Sequence, residues 1–240
     1  MTDILLRENS MRSCLFYNLG LTEYGEALAL QEGLHEARKS GAIPDVLLLV
    51  EHPPVITLGR HASISNIIAS QDILAREGIA VFHTGRGGDV TFHGPGQLVA
   101  YPILNLKENG LTVTSYVWKL EETAIRTLMA LGIKGERVAD WRGVFVDGEK
   151  ICSLGLKISG GVSLHGLALN VDTDLKYFDY IIPCGLTDIK VTSIARIKGQ
   201  KIDMPTVGEI MLAKFADVFG FVCSPGEEAI EAIKNVMDRL

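Results

Sequence analysis

Apolar positions change period along the chain, and each change marks an element. Over residues 22–40, Tyr24, Ala27, Leu28, Leu34 and Ala37 fall at helical spacing. Thr22 stands where a cap belongs, and Gly41 where such a helix ends. Residues 45–50 are a short continuous apolar run closed by Pro53 and Pro54, the pattern of a strand buried on both faces. Residues 55–58 read as a second strand, 72–77 as a short helix, and 79–82 and 97–106 as further strands. The strongest helix spans 112–131, where Val113, Tyr116, Val117, Leu120, Ala124, Leu128 and Leu131 recur before Gly132. Residues 144–152 form a hairpin turning at Asp147-Gly148, and 162–171 continue in strand. Thr206 with Glu209, and Ser224 with Glu227, read as capping boxes opening two C-terminal helices, with Pro225 suited to a first helical position.

Helices and hairpins are mixed rather than alternating regularly, which predicts an α+β fold: a mixed β-sheet with packed helices. No linker divides the sequence, so one domain is expected over 1–240, with a core at about 20–220 and a C-terminal helix at about 225–240.

Composition narrows the class. The 240 residues are 47% hydrophobic and 22% charged, enough to bury a core without disulfides or a structural metal. A net charge of -6 argues against a broad nucleic-acid-binding face. The apolar runs are too short for a membrane span, and Asp3 and Glu8 argue against a signal peptide. The four cysteines, Cys14, Cys152, Cys184 and Cys223, form no CxxC pair. A cytoplasmic protein with reduced thiols is expected, with no metal, no nucleic acid and no membrane partner.

The densest motif runs from His83 to Gln97 and holds five glycines between Gly85 and Gly96. No Gly-Lys-Ser/Thr follows, and no helix pattern opens, so neither the phosphate loop nor the dinucleotide fingerprint is present. Arg86, Asp89, His93 and Gln97 interleaved with glycine point to a binding loop, in which successive backbone N–H groups can cradle an anion or a carbonyl oxygen. His83 and His93 lack partners at ligand spacing, so hydrogen bonding or substrate positioning is expected of them rather than metal binding. His52 reads as structural and His165 as a positioning residue.

Cys184 lies between Pro183 and Gly185, at a turn able to present its sulfur. A nucleophilic thiol needs a nearby cation to stabilise the thiolate. Lys150 and Lys157 are the candidates. In one uninterrupted strand, Lys150, Cys152, Leu154, Leu156 and Ile158 share an apolar face, while Ile151, Ser153, Gly155 and Lys157 share the other. A lysine at the edge of an apolar face is partly desolvated and can exchange a proton near neutrality. A bulge, which Gly155 permits, would break that argument. Cys152 is a rival nucleophile, expected instead to pack; Cys14 and Cys223 have no polar motif around them.

Together these motifs resemble the octanoyltransferases of lipoate biosynthesis, the lipoyl(octanoyl) transferases. The residues that carry the resemblance are Glu51-His-Pro-Pro, the run from Arg86 to Gln97 with Tyr101, Lys150-Ile-Cys-Ser-Leu-Gly155, His165-Gly-Leu-Ala-Leu-Asn170 and Pro183-Cys-Gly-Leu186. The resemblance implies the catalytic-domain fold of biotin and lipoate protein ligases. It implies octanoyl transfer from acyl carrier protein to a lysine of lipoyl domains, including 2-oxoacid dehydrogenase subunits and the glycine-cleavage H protein, without a cofactor. It puts the acyl-thioester cysteine at Cys184 and its partner lysine at Lys150. It puts substrate binding at Arg86, Gly87, Gly88, Asp89, Val90, Thr91, Phe92, His93, Ser153, Leu154, Gly155, Gly166, Leu167 and Ala168. Positioning roles are open to His83, Gln97, Tyr101 and His165. A monomer is expected. The partners are expected to be acidic, so a local cationic patch should dock them: Lys134, Arg137 and Arg142, or Arg196, Lys198 and Lys201. The rival readings are an ATP-dependent ligase on the same fold and a non-catalytic binding module.

Overall fold

The computed structural model describes residues 12–182, 190–227, 230 and 231. In chain order the strands are β1 (Arg12–Leu21), β2 (Asp45–Glu51), β3 (Val55–Leu58), β4 (Ala80–His83), β5 (Val90–His93), β6 (Gln97–Ile103), β7 (Val144–Val146), β8 (Glu149–Ser159), β9 (Val162–Asn170) and β10 (Phe221–Pro225). The helices are α1 (Tyr24–Lys39), α2 (Gln71–Arg76), α3 (Val113–Ala130), α4 (Ile194–Lys198) and α5 (Met204–Phe219). Seven strands form one mixed sheet in the order β10-β1-β2-β6-β9-β8-β7, parallel from β10 to β2 and antiparallel thereafter. The other three form a smaller sheet, β4-β3-β5. This is the α+β architecture expected.

Strand β2 explains how the large sheet is covered on both faces. Val46, Leu48 and Val50 pack into a cluster with Leu30 and Leu34 of α1. Leu47 and Leu49, pointing the other way, join Leu120 of α3 and Phe215 of α5. The small sheet has its own core, in which Ile56, Val90 and Phe92 meet Phe178 and Ile181. The cleft between the two sheets is where the functional motifs converge.

Several element ends differ from expectation. Thr22 donates its hydroxyl to Leu19 O at 2.8 Å and does not cap α1, which starts after Glu23 without a side-chain cap. Thr206 sits in the first turn of α5, capped by Asp203, whose carboxylate accepts from the Thr206 amide at 3.0 Å. Ser224 and Pro225 end strand β10 beside β1. The helical residues described there begin at Glu227, not at 225; residues 228, 229 and 232–240 lie outside the described residues. Asp147 and Gly148 both have positive φ, 49° and 79°, as a tight hairpin requires.

Candidate active site

The glycine-rich motif lies between the sheets. Its backbone is stitched to the strand end after β3: Gly59 N–H donates to Asp89 O, Arg60 N–H to Arg86 O and Thr84 N–H to Leu58 O. The loop also reaches the large sheet, from Gly87 N–H to Leu156 O at 2.7 Å. Arg86 lies beneath this loop. Its guanidinium donates to Thr57 Oγ1 and O and to Gly87 O, and its Cδ lies over Gly155, where an added Cβ would come within 2.9 Å. Asp89 accepts from Asn66 Nδ2 at 2.6 Å and from the Val90 amide at 2.8 Å, so it fixes the loop's end.

Beneath the loop is a cavity lined on one side by Arg86, Gly88, Asp89, Val90, Thr91 and His93. Strands β8 and β9 supply Lys150, Ser153, Leu154, Gly155, His165, Gly166, Leu167 and Ala168. Tyr24, Val99, Tyr101, Phe178 and Val191 complete it. Its aromatic and imidazole rings are uncharged near neutrality. Burial pushes His93 down to about 3 and His165 to about 4, and raises Tyr24 to about 12; His52, which meets His93 from outside the lining, is pushed down to about 4. Apart from Arg86, Asp89 and Lys150 the lining is uncharged and largely apolar, with Val90, Val99, Leu167 and Ala168 among it, which suits an apolar chain.

A chain of buried hydrogen bonds runs from the loop to Lys150. His93 Nδ1–H donates to Gln97 Oε1 at 2.7 Å, Gln97 Nε2 to Asn170 Oδ1 at 2.9 Å, and Asn170 Nδ2 to Thr192 O at 3.0 Å. Thr192 N–H donates to Lys150 O at 3.0 Å, and Lys150 N–H to Lys190 O at 2.8 Å. The Glu51-His-Pro-Pro motif serves the same region. Glu51 accepts from Gly96 N–H at 2.9 Å, and His52 Nε2 accepts from the Tyr101 hydroxyl at 2.8 Å.

The strand alternation expected around Lys150 is broken by a bulge. Val144 pairs with Cys152 but Phe145 pairs with Lys150, so Ile151 is the extra residue of a bulge. Ile151 and Cys152 both enter the core that contacts α3, and Lys150 lines the cavity with Ser153 instead of sharing the Cys152 face. Lys157 does not line the cavity; it lies against Gly85. Cys152 is fully buried, and burial pushes its thiol up to about 12 despite the opposing pull of Lys150.

The family model described as the lipoyl protein ligase A/B catalytic domain matches residues 23–216. An octanoyltransferase of Solibacter usitatus (strain Ellin6076) is 50% identical over 216 residues, covering 90% of this chain and 97% of its own length. The chain belongs to the lipoyl protein ligase A/B family, among its octanoyltransferases. A second relative in that family, the octanoyltransferase of Alkaliphilus metalliredigens (strain QYMF), is 48% identical over 205 residues, 85% of this chain and 94% of that one. The crystal structure of lipoate-protein ligase A bound with ATP has the same fold, with a TM-score of 0.74 at 16% identity over 95% of this chain and 94% of that one.

Of the residues expected to form the family's site here, Cys184 lies outside the described residues. Lys150 and most of the expected substrate-binding residues converge on the cavity, but four expected residues stand apart. Phe92 points away, stacked on Tyr177 at 4.9 Å in the small-sheet core, because strand alternation turns it from the face of Thr91 and His93. Gly87 borders an adjoining groove. His83 is exposed at the edge of β4. Gln97 acts at one remove, through His93. Tyr24 went unpredicted because it reads as the apolar stripe of α1; its ring stacks on His93 at 6.1 Å. Among the described residues no cluster of His, Cys, Asp and Glu could hold a metal, and no helix is long and apolar enough to cross a membrane.

Proposed function

We propose that this protein transfers an octanoyl group from octanoyl-acyl carrier protein to a lysine of lipoyl domains, including that of the glycine-cleavage H protein, through a thioester on Cys184 and without ATP. The observation that carries this reading is Lys150 at an apolar cavity, with its backbone bonded to Lys190 and Thr192, just beyond the segment that contains Cys184. The similarity to octanoyltransferases supports octanoyl as the group transferred.

The Cys184 thiolate, held by the Lys150 ammonium, attacks the carrier thioester carbonyl. The tetrahedral intermediate collapses, the C–S bond to the carrier breaks, and the carrier leaves as a thiol with the proton of the Lys150 ammonium, which leaves Lys150 neutral. The acyl chain lies among Val90, Val99, Leu167 and Ala168. The acceptor amine then attacks the enzyme thioester, Lys150 takes the amine's proton, and the amide forms as the Cys184 thiolate departs. One thioester replaces another in the first step, and amide formation drives the second, so no nucleotide is consumed.

Intact-protein mass spectrometry after mixing with octanoyl-carrier tests this. An octanoyl adduct is expected on Cys184 and none in Cys184→Ser, with Lys150→Ala folded but severely slowed. An absolute ATP requirement, or an adduct on another cysteine, overturns the reading.

A further inference from the structure

The cavity is not the only space that Lys150 borders. An open groove of about 570 Å³ shares Lys150, Leu154, Gly155 and Gly88 with the cavity and leads away from it. Its volume falls in the range of small-molecule sites. Its outer walls are Val113 and Val117 of α3, together with Asp140, Trp141 and Arg142 from the stretch before β7.

These walls are not explained by the fold. Val113 and Val117 continue the apolar stripe of α3, yet neither joins the core that the helix packs against, and Val113 is 54% exposed. Arg142 is exposed and enters no ion pair among the described residues. The other cations of the two sequence patches are mostly engaged. Arg137 is held by Glu121 at 3.1 Å and Glu122 at 2.9 Å and stacks on Trp118, while Arg196 and Lys201 lie within 4 Å of Glu149 and Asp172. Among the described residues that line the groove, Asp140 is the one acid, with Arg142 and Lys150 as the two cations.

We infer that this groove takes the pantetheine arm of the acyl donor, with its phosphodiester on Arg142. The inference rests on the proposed carrier-thioester reading. A thioester entering the cavity must bring its arm in behind it, past Lys150, and the groove is the space continuous with that point. The arm is an extended chain of methylenes and amides, which suits walls of valine and tryptophan, and it ends in an anion, which suits an exposed arginine with no ion pair among the described residues. The acceptor lysine brings a short stem and a positive charge, which Arg142 at the rim would repel.

Octanoyl-phosphopantetheine and octanoyl-pantetheine differ only in that phosphate, so they test the assignment. The rate of enzyme acylation is measured with each donor for the native protein, Arg142→Ala and Arg142→Glu. The native protein is expected to prefer the phosphorylated donor, with the preference falling about threefold in R142A and about tenfold in R142E, as for a solvent-screened charge pair. Transfer from pre-acylated enzyme to a lipoyl domain is expected to stay within twofold of native in R142E. An unchanged donor preference overturns the assignment, as does a loss confined to the transfer step, which would give the groove to the acceptor. Failure of the native protein to acylate with either donor removes the thioester reading itself, and the groove assignment with it.

Discussion

Lowering the pH from 8 to 5 should destabilise this protein through the three histidines around the cavity. His52, His93 and His165 have values pushed down to about 4, 3 and 4, with burial the leading cause in each case. Unfolded, each returns to roughly 6.5. The folded values lie below the unfolded ones, so the unfolded chain binds more protons as pH falls. The stabilisation is complete above about pH 7 and is lost progressively from about 6.5 down to about 4. At pH 5 each histidine costs roughly 2 kcal/mol, and the three together roughly 6 kcal/mol as an upper bound, against a typical total of about 5–15 kcal/mol. The structure supplies the mechanism. A proton on His52 Nε2 would displace the Tyr101 hydroxyl that it accepts from, and a charge on His93 would face His52 across 5.9 Å with Arg86 also near. Carboxylates with lowered values, such as Glu122 and Asp203, act below about 4.5 and leave the upper window to histidine. Urea denaturation at pH 8, 7, 6 and 5 reads the effect, and His52→Gln should flatten the curve by about one proton's slope. Equal unfolding free energies at pH 8 and pH 5 would refute the reasoning.

Three further outcomes follow from the same contacts. Gly166→Ala puts a Cβ 2.0 Å from Ala100 O on the neighbouring strand β6. Because that atom is backbone, the cost should be about 3 kcal/mol, seen as a lower urea midpoint; native-like stability would contradict it. Asn170→Ala orphans both the Gln97 amide and Thr192 O, at about 1–3 kcal/mol, and should lower kcat more than it raises KM because Thr192 braces Lys150. A change in KM alone would assign Asn170 to substrate binding instead. Cys152→Ala should keep the acyl adduct and cost about 1–2 kcal/mol from a small buried void; loss of the adduct would make Cys152 the nucleophile.

What the sequence reveals depends on whether one element decides the outcome. Strand β2 and helices α1 and α3 are legible because each buries a face whose period shows within the element itself. Strand β1 is not: its side chains divide among two cores and solvent, and its partner β10 lies some two hundred residues later. Thr206 and Ser224 match capping boxes, but Asp203 is the better cap three residues before Thr206, and Ser224 is claimed by the sheet edge beside β1.

The site repeats this division. The glycine loop declares itself through composition, whereas the bulge at Ile151 is silent, because Ile151 and Cys152 are both apolar and either register buries them. That bulge decides the face on which Lys150 lies. Beyond the pairing of Cys152 with Leu169, residues 190–192 take over the edge of β8 and bond to Lys150 on both its N–H and its carbonyl. The lysine is thus held where the ladder changes partner, and the side chain that holds the new partner is Asn170, fixed in turn by Gln97 and His93. Motifs a hundred residues apart in sequence are therefore one hydrogen-bonded structure. The glycine loop, the Asn170 strand and the lysine act as a unit, and a change in any one of them should be felt at Lys150.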